Sequence, residues 1–241
     1  MSEAAVTPIP SRGRLWIALA LALALVGLAW GVVEISTRKA GREVVRISGG
    51  SSAQEIFGGV PQAGDRLGSA DAPVSVQVFN DLQCASCRAA FLATIPKLAE
   101  RYARSGDVKL LMRHYSVAEN PSELGFFGAE AAAQQGYGWQ YTYLFFLNQD
   151  EAKRFGIDRN FLTSLASSIE ELNVPEWQHY LDTQSGSGGA IATRLEGYDQ
   201  LGRRLSIRTG QAMIVSGPRG TRTLQEGPGL AEVEHAIAAV R

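Results

Sequence analysis

Two cysteines three residues apart are the side chains of this sequence best suited to chemistry. Cys84 and Cys87 are the only cysteines among 241 residues, and residues 80–83 lead directly into them. A Cys-x-x-Cys pair can exchange disulfides, contribute half of a zinc site, or form a structural disulfide.

A metal or purely structural role for the pair has less support than redox chemistry. A closed structural zinc site needs four ligands, but the sequence has no second cysteine pair. Its three histidines, His114, His179 and His235, lie far apart in different predicted elements. A disulfide between residues three apart closes too small a loop to constrain the unfolded chain much. We therefore predict redox chemistry without a metal or other cofactor, and zinc binding and a structural bond stay open as alternatives.

The residues around the pair predict a strand, a tight loop and the start of a helix. Residues 74–79 alternate as a buried strand does, and a helical pattern runs from Ala85 to about Arg104. A cysteine in the first turn of a helix meets free amide groups and the positive end of the helix dipole. Both favour a thiolate, so we expect the pKa of Cys84 to lie below its ordinary value of about 8.5. Cys87, one turn further on, can then attack a mixed disulfide formed at Cys84.

The N-terminal residues predict a membrane anchor. After a polar tail at residues 1–14, the chain runs without a charge over residues 15–33, which is long enough to span a bilayer. A cleaved signal peptide is the alternative, because Ala29-Trp30-Gly31 loosely fits a small-x-small cleavage site. An uncleaved anchor is preferred, because the apolar run exceeds the usual signal core and two tryptophans bracket it.

The charges beside the anchor conflict with an external domain. Basic residues after the predicted span outnumber those before it, and by the positive-inside rule this places the large domain in the cytoplasm. They are Arg38, Lys39, Arg42 and Arg46 after the span, and Arg12 and Arg14 before it. Long domains, however, translocate largely regardless of flanking charge. The net charge of −1 and the scattered arginines give no indication of a nucleic-acid surface.

The rest of the sequence predicts a linker followed by one α/β domain. Residues 34–67 are rich in glycine, serine and proline and are predicted as a linker, with a short strand at 43–47. The domain covers residues 68–241 and contains a helical insertion at about 118–205. Its other predicted elements are strands at 74–79, 108–115, 210–215 and 221–224, a helix kinked at Pro96, a turn at 216–220 and a closing helix at 230–240. The first strand, helix and second strand form a right-handed parallel unit.

This order of elements, with Cys-x-x-Cys after the first strand, resembles the thioredoxin fold with a helical insertion found in DsbA-like thiol:disulfide oxidoreductases. Asp71-Ala72-Pro73-Val74, followed by the strand and Cys84-x-x-Cys87, is similar to the family's entry to its active site. Arg113-His114-Tyr115 and then Asn120-Pro121 resemble its second strand and the exit from that strand. The resemblance covers about residues 68–241.

The resemblance implies that Cys84 is the exposed nucleophile and Cys87 the buried resolving thiol. It also implies an extracytoplasmic domain, where disulfides form and persist. The family has a cis-proline before its third strand, facing the cysteines, where this sequence has Ala212. We expect the Gln211–Ala212 peptide bond to be trans, because a non-proline cis bond costs about 2.5 to 4 kcal/mol. By resemblance only, Gln211 and Ala212 are candidates for substrate contact.

Three further features are candidates for the site or for the core. Asp81 is a candidate proton acceptor for a thiol, or it satisfies amide groups at the start of the helix. His114 lies in a buried strand pattern and is predicted to be structural. The aromatic residues between 139 and 146 are predicted to form core, although part of the group is suited to lining a substrate groove.

The sequence therefore predicts a membrane-anchored thiol:disulfide oxidoreductase that oxidises or isomerises disulfides in exported proteins. Its predicted partners are exported proteins with thiols, an unidentified redox partner that resets the cysteine pair, and the membrane through residues 15–33. No nucleic-acid partner is predicted. A reductase with a narrow target is one alternative, and a binding module that has lost turnover with its proline is another. Ala85 and Ser86 offer the Cys84 thiolate at most one hydroxyl, so we expect a weaker oxidant than the strongest members of the family.

Overall fold

The computed structural model describes residues 45–116 and 123–241. The predicted tail at 1–14, the predicted anchor at 15–33 and Asn120-Pro121 lie outside these residues. Within the described part of the chain, no helix combines the length and the apolar character needed to cross a bilayer.

The described residues form six strands, all in one sheet, and nine α-helices. The strands are β1 Gln62–Ala63, β2 Arg66–Leu67, β3 Val74–Asn80, β4 Val108–His114, β5 Met213–Gly217 and β6 Gly220–Leu224. The helices are α1 Gly50–Phe57, α2 Ala85–Leu98, α3 Glu123–Gln134, α4 Gly138–Leu147, α5 Gln149–Phe155, α6 Arg159–Ser167, α7 Val174–Gln184, α8 Ala190–Arg204 and α9 Leu230–Val240. The strands lie in the order β1-β2-β4-β3-β5-β6.

A parallel pair of strands forms the centre of the sheet. β3 and β4 pair from Val74 opposite Val108 to Asn80 opposite His114, and alternate residues along both strands are buried. α2 connects the two strands, so the predicted strand, helix and parallel strand are confirmed. Because parallel strands end at the same edge of a sheet, the residues that follow Asn80 lie beside those that follow His114.

The helix that follows the cysteine loop, residues 81–84, continues past its internal proline. Pro96 has no N–H group and lies in the last turn of α2. The helix then widens into a π-helical turn, Ala99–Ala103, in which the N–H of Arg104 donates to the carbonyl of Ala99, five residues earlier, at 2.9 Å. The helical stretch thus ends within one residue of the predicted position at Arg104.

The C-terminal hairpin and helix complete the sheet on the far side of β3. β5 pairs antiparallel with β3, β6 pairs with β5, and Gly217 opposite Gly220 closes a two-residue turn. Both strands and the closing helix confirm the prediction. The strand predicted to begin at Gly210 begins at Met213 instead. The carbonyl oxygens of Ala212 and Gly210, before the strand, accept hydrogen bonds from the N–H groups of Phe79 and Asp81.

The helical insertion, from α3 to α8, has an aromatic core. Its buried aromatic residues are Trp139, Tyr141, Tyr143, Phe145 and Phe146, as predicted. Asn173 caps α7 by accepting a hydrogen bond from the N–H of Glu176, and Pro175 lies in the first turn, where its missing N–H costs nothing. Residues 185–189 form the predicted glycine-rich loop between α7 and α8.

The segment predicted as a linker differs from expectation over its described residues. Residues 50–57 form a helix, and 62–67 form a two-stranded hairpin whose second strand pairs with β4. The few apolar residues of this segment pack it onto the domain. Phe57 and Leu67 are wholly buried, and the ring centroids of Phe57 and Tyr143 lie 5.8 Å apart. The short strand predicted at 43–47 is absent from residues 45–49. Ser48 instead pairs its backbone with the side-chain amide of Asn148.

Candidate active site

The two cysteines form a disulfide at the N-terminus of α2. Cys84 is the N-cap residue of the helix, and its Sγ accepts a hydrogen bond from the N–H of Cys87 at 3.0 Å. Cys84 is partly exposed, whereas Cys87 is only 2% exposed. An attacking sulfur therefore reaches Cys84 much more readily than Cys87.

Asp81 anchors the loop that presents Cys84. Its backbone N–H donates to the carbonyl of Gly210 at 3.1 Å, and its carbonyl accepts from the N–H of Cys84 at 3.2 Å. Its carboxylate accepts from the N–H of Gln83 at 3.0 Å and from the hydroxyl of Ser116 at 2.6 Å. The bond from Gln83 matches one of the two roles predicted for Asp81, in which its carboxylate accepts from amide groups at the start of the helix. The proton-acceptor role stays a prediction.

A glutamine of the helical insertion holds the same loop from the opposite side. Gln149 is buried, and its Nε2 donates to the carbonyl of Leu82 at 2.8 Å and to that of Cys84 at 3.2 Å. Arg88, one turn into α2, pairs with Asp150 at 2.7 Å. Sequence reasoning missed these residues, since neither Gln149 nor Asp150 has a local signal that links it to a loop more than sixty positions earlier.

Gly210 and Gln211, just before β5, lie beside the Cys-x-x-Cys segment. A Cβ atom added to Gly210 would lie 2.7 Å from the Cβ of Asp81 and 3.3 Å from the Sγ of Cys87, so glycine permits this close approach to both. The Nε2 of Gln211 donates to the hydroxyl of Ser86 at 2.5 Å, and that hydroxyl lies 3.2 Å from the Sγ of Cys84.

Ala212 occupies the position at which the resemblance places a cis-proline. The described residues contain no cis peptide bond, which agrees with the expected trans Gln211–Ala212 bond. Ala212 is wholly buried, and its carbonyl accepts from the N–H of Phe79 at 2.9 Å. Its carbonyl is therefore engaged within the fold, and substrate contact at Gln211 and Ala212 stays a prediction.

His114 belongs to the core, as predicted. Its Nδ1 lies 3.2 Å from the Oδ1 of Asn80, and its ring stacks on Phe126 at 5.1 Å. Burial lowers the pKa of His114 to about 3, so the ring is neutral at ordinary pH.

Glu130 on α3 is a buried carboxyl that sequence reasoning missed. It lies 3.8 Å from the Nε2 of His114 and accepts a hydrogen bond from Arg194 at 3.0 Å. Burial raises the pKa of Glu130 to about 7, although the charge of Arg194 opposes the rise. A single glutamate in an alanine-rich helix pattern looks like a surface residue, so the sequence offered no signal for it.

A cavity of about 290 Å³ opens beside the cysteine loop, on the side of the insertion. It is lined by Leu82, Gln83, Phe145, Gln149, Ala152, Lys153, Gly156 and Ile157. Phe145 thus contributes both to the core and to the wall of this cavity. Among the described residues, no group of three or more His, Cys, Asp or Glu side chains is arranged to hold a metal ion.

Comparison with known proteins identifies a matching family model and similar proteins. A family model described as Thioredoxin matches residues 62–181. The chain is 24% identical over 154 residues to a probable disulfide bond formation protein D of Bacillus cereus, covering 63% of this chain and 69% of that protein. It is 23% identical over 152 residues to disulfide bond formation protein D of Bacillus subtilis, covering 62% and 66%.

Solved structures share the fold. BdbD from Bacillus subtilis in its oxidised form superposes with a TM-score of 0.61 at 20% identity, covering 74% of this chain and 95% of that one. The alpha-DsbA1 of Wolbachia pipientis gives a TM-score of 0.56 at 15% identity, covering 78% and 95%. The fold is therefore thioredoxin-like with a helical insertion, as the sequence predicts.

Proposed function

We propose that this chain, with its thioredoxin-like fold and its relatives named disulfide bond formation proteins, is a thiol:disulfide oxidoreductase that oxidises exported proteins. The observation that carries the proposal is the disulfide at the start of α2, with Cys84 partly exposed and Cys87 buried. Disulfide exchange needs one reachable sulfur and a leaving thiolate that is stabilised. The first turn of α2 supplies both.

The oxidising reaction proceeds in two exchanges. A substrate thiolate attacks the Sγ of Cys84, the bond to Cys87 breaks, and Cys87 leaves as a thiolate. A second substrate thiolate then attacks the substrate sulfur of this mixed disulfide, and Cys84 leaves as a thiolate. The substrate loses two electrons and gains a disulfide, and the cysteine pair holds those electrons until a redox partner removes them.

The first turn of α2 stabilises Cys84 as the leaving group. The N–H of Cys87 and the hydroxyl of Ser86 both lie within hydrogen-bonding distance of its sulfur. Hydrogen bonds to a charged acceptor are stronger than those to a neutral one, so they favour the thiolate. Cys84 is therefore the nucleophile of the reduced protein, and Cys87 is the thiol that resolves a mixed disulfide.

The reduction potential of the cysteine pair distinguishes an oxidase from a reductase. A thiol reductase acting on a narrow target would use the same cysteines with a more negative reduction potential. A potential near the thioredoxin value of about −270 mV would favour reduction, and one near about −120 mV would favour oxidation. Since only one hydroxyl contacts Cys84 within the Cys-x-x-Cys segment, we expect an oxidising value less extreme than the latter.

We place the catalytic domain outside the cytoplasmic membrane, anchored through residues 15–33. The uncharged run at 15–33 and the stability of disulfides outside the cytoplasm support this assignment. A thiol reagent that cannot cross the membrane, applied to intact cells after reduction, should label Cys84. Labelling only after the cells are lysed would contradict this sidedness.

Substitution of each cysteine tests the enzymatic proposal. Cys84→Ser should abolish the oxidation of a reduced, unfolded substrate, because the exposed sulfur is lost. With a substrate that already contains a disulfide, Cys87→Ser should accumulate a mixed disulfide: the Cys84 thiolate attacks one substrate sulfur, the other substrate sulfur leaves as a thiolate, and no second thiol is present to resolve the bond. The product is visible as a band sensitive to reductant on a non-reducing gel. Full turnover by Cys84→Ser would exclude the mechanism. Thiol titration without turnover in the unchanged protein would instead favour a binding module.

A further inference from the structure

The side chain of Gln211 connects the loop before β5 to the first turn of α2. Its Nε2 donates to the Oγ of Ser86 at 2.5 Å. Its Oε1 faces Gly227, where any Cβ atom would collide with it, and Gly227 has a φ of +74°. The carboxamide therefore lies between α2 and the loop that precedes α9, with its nitrogen toward Ser86.

The direction of this hydrogen bond determines where the Ser86 hydroxyl proton goes. An amide nitrogen only donates, so the Oγ of Ser86 must act as the acceptor toward Gln211. Its own hydrogen is then available for the Sγ of Cys84, which lies 3.2 Å away. The N–H of Cys87, at 3.0 Å, is a second donor to the same sulfur.

We propose that Gln211 is a positioning residue that acts through Ser86 to stabilise the thiolate of Cys84. The proposal rests on the function proposed above and extends it, because stabilising the reduced form makes a disulfide a stronger oxidant. The structure shows no hydrogen bond from Gln211 to either reacting sulfur. Gln211 instead orients the hydroxyl of Ser86, which contacts the sulfur of Cys84.

A double-mutant cycle tests the connection. Gln211→Leu and Ser86→Ala, each in the reduced protein, should raise the apparent pKa of Cys84 by about half a unit to one unit, since a hydrogen bond to a charged group at a partly exposed site is lost. The double variant should match Ser86→Ala alone. Additive shifts, or no shift with Gln211→Leu, would overturn the proposal. Thiolate absorbance during pH titration measures the pKa, and circular dichroism checks folding.

An acceptor in place of the donor gives a second, independent test. Gln211→Glu keeps the shape of the side chain but can only accept, so it should draw the Ser86 hydrogen away from Cys84. Its charge alone would also raise the pKa of Cys84. The control is the same Gln211→Glu change in a Ser86→Ala background, which keeps the added charge but removes the hydroxyl. The proposal requires a clearly larger pKa shift with Ser86 present than in the Ser86→Ala background, and equal shifts would overturn it.

The redox consequence is measured by equilibration with glutathione. If the pKa of Cys84 rises by one unit in Gln211→Leu, the equilibrium constant for oxidising glutathione should fall up to about tenfold, or about 30 mV for a two-electron couple. An unchanged constant would overturn the proposal. These measurements need no protein substrate. Coupling between Gln211 and Ser86 in a protein that fails the turnover assay would therefore refute the proposed function and leave the positioning role intact.

Discussion

At the scale of single residues, Asp81 is the side chain with two competing assignments. It is buried, and the two oxygens of its carboxylate accept hydrogen bonds from Gln83, in the loop before α2, and from Ser116, which follows β4. An asparagine in its place can still accept from the N–H of Gln83. It can also donate to Ser116, because a hydroxyl acts equally as donor and acceptor. The loop-anchoring assignment therefore tolerates an amide, whereas proton transfer requires the carboxylate.

We expect Asp81→Asn to lower the free energy of unfolding by less than about 1 kcal/mol, and Asp81→Ala to lower it by about 1 to 3 kcal/mol. Alanine removes both side-chain hydrogen bonds of this buried position, whereas asparagine keeps them. Urea denaturation of the oxidised protein measures both values. If Asp81→Asn kept its stability but lost most of its exchange rate, the carboxylate would be a proton acceptor instead.

At the scale of elements, Gly128 is the point where three helices of the insertion meet. A Cβ atom at this position of α3 would collide with the ring and hydroxyl of Tyr141 on α4. The indole N–H of Trp177 on α7 donates to the carbonyl of Gly128 at 2.8 Å, and its ring stacks on Tyr141 at 5.9 Å. Glycine is required here for close packing, although it lowers helix propensity.

A pair of glycine substitutions tests this packing. Gly128→Ala should lower the free energy of unfolding by about 1 to 3 kcal/mol, because the added methyl group forces α3 and α4 apart. Gly197→Ala on α8 is the matched control: a Cβ atom there meets nothing within 4 Å, so it should stabilise by about 0.4 to 1 kcal/mol. The two changes are chemically identical. Shifts of the same sign in thermal denaturation would contradict the packing argument.

The elements that the sequence predicts well are those whose apolar residues repeat regularly. β3, β4 and α9 lie within one residue of their predicted bounds, since each has a buried face of its own. α1 was missed because its few apolar residues, Ile56 and Phe57 among them, are too sparse to show a period. The first turn of α2 was predictable from the cysteine spacing. Gln149 was not, because its role arises only when the insertion packs against the loop.

At the scale of the whole molecule, a buried polar cluster joins the sheet to the insertion. His114 comes from β4, Glu130 from α3, and Arg194 from α8. Arg113 pairs with Asp65 nearby and lies over the ring of Tyr198 at 5.2 Å. Charged groups buried in this way are costly unless paired, so the stability of the chain should depend on their protonation.

The signs of the two pKa shifts in this cluster are opposed. The pKa of His114 is lowered from 6.5 to about 3, so its contribution to stability rises as the pH increases from about 3 to 6.5. The pKa of Glu130 is raised from 4.5 to about 7, so its contribution is fully present below pH 4.5 and is lost as the pH rises to about 7. The two effects on the free energy of unfolding oppose each other between pH 4.5 and 6.5. Between pH 6.5 and about 7, only the stabilisation from Glu130 continues to decrease.

Glu130→Gln isolates the second effect, because glutamine does not titrate and can still accept from Arg194. We expect the free energy of unfolding of this variant, relative to the unchanged protein, to increase by up to about 3 kcal/mol between pH 4.5 and 7.5. Urea denaturation at steps across that range measures the difference, and titrations common to both proteins cancel. Glu196→Gln, an exposed change on α8, provides the control. A difference for Glu130→Gln that stays constant with pH would mean that Glu130 is ionised throughout, with Arg194 outweighing burial.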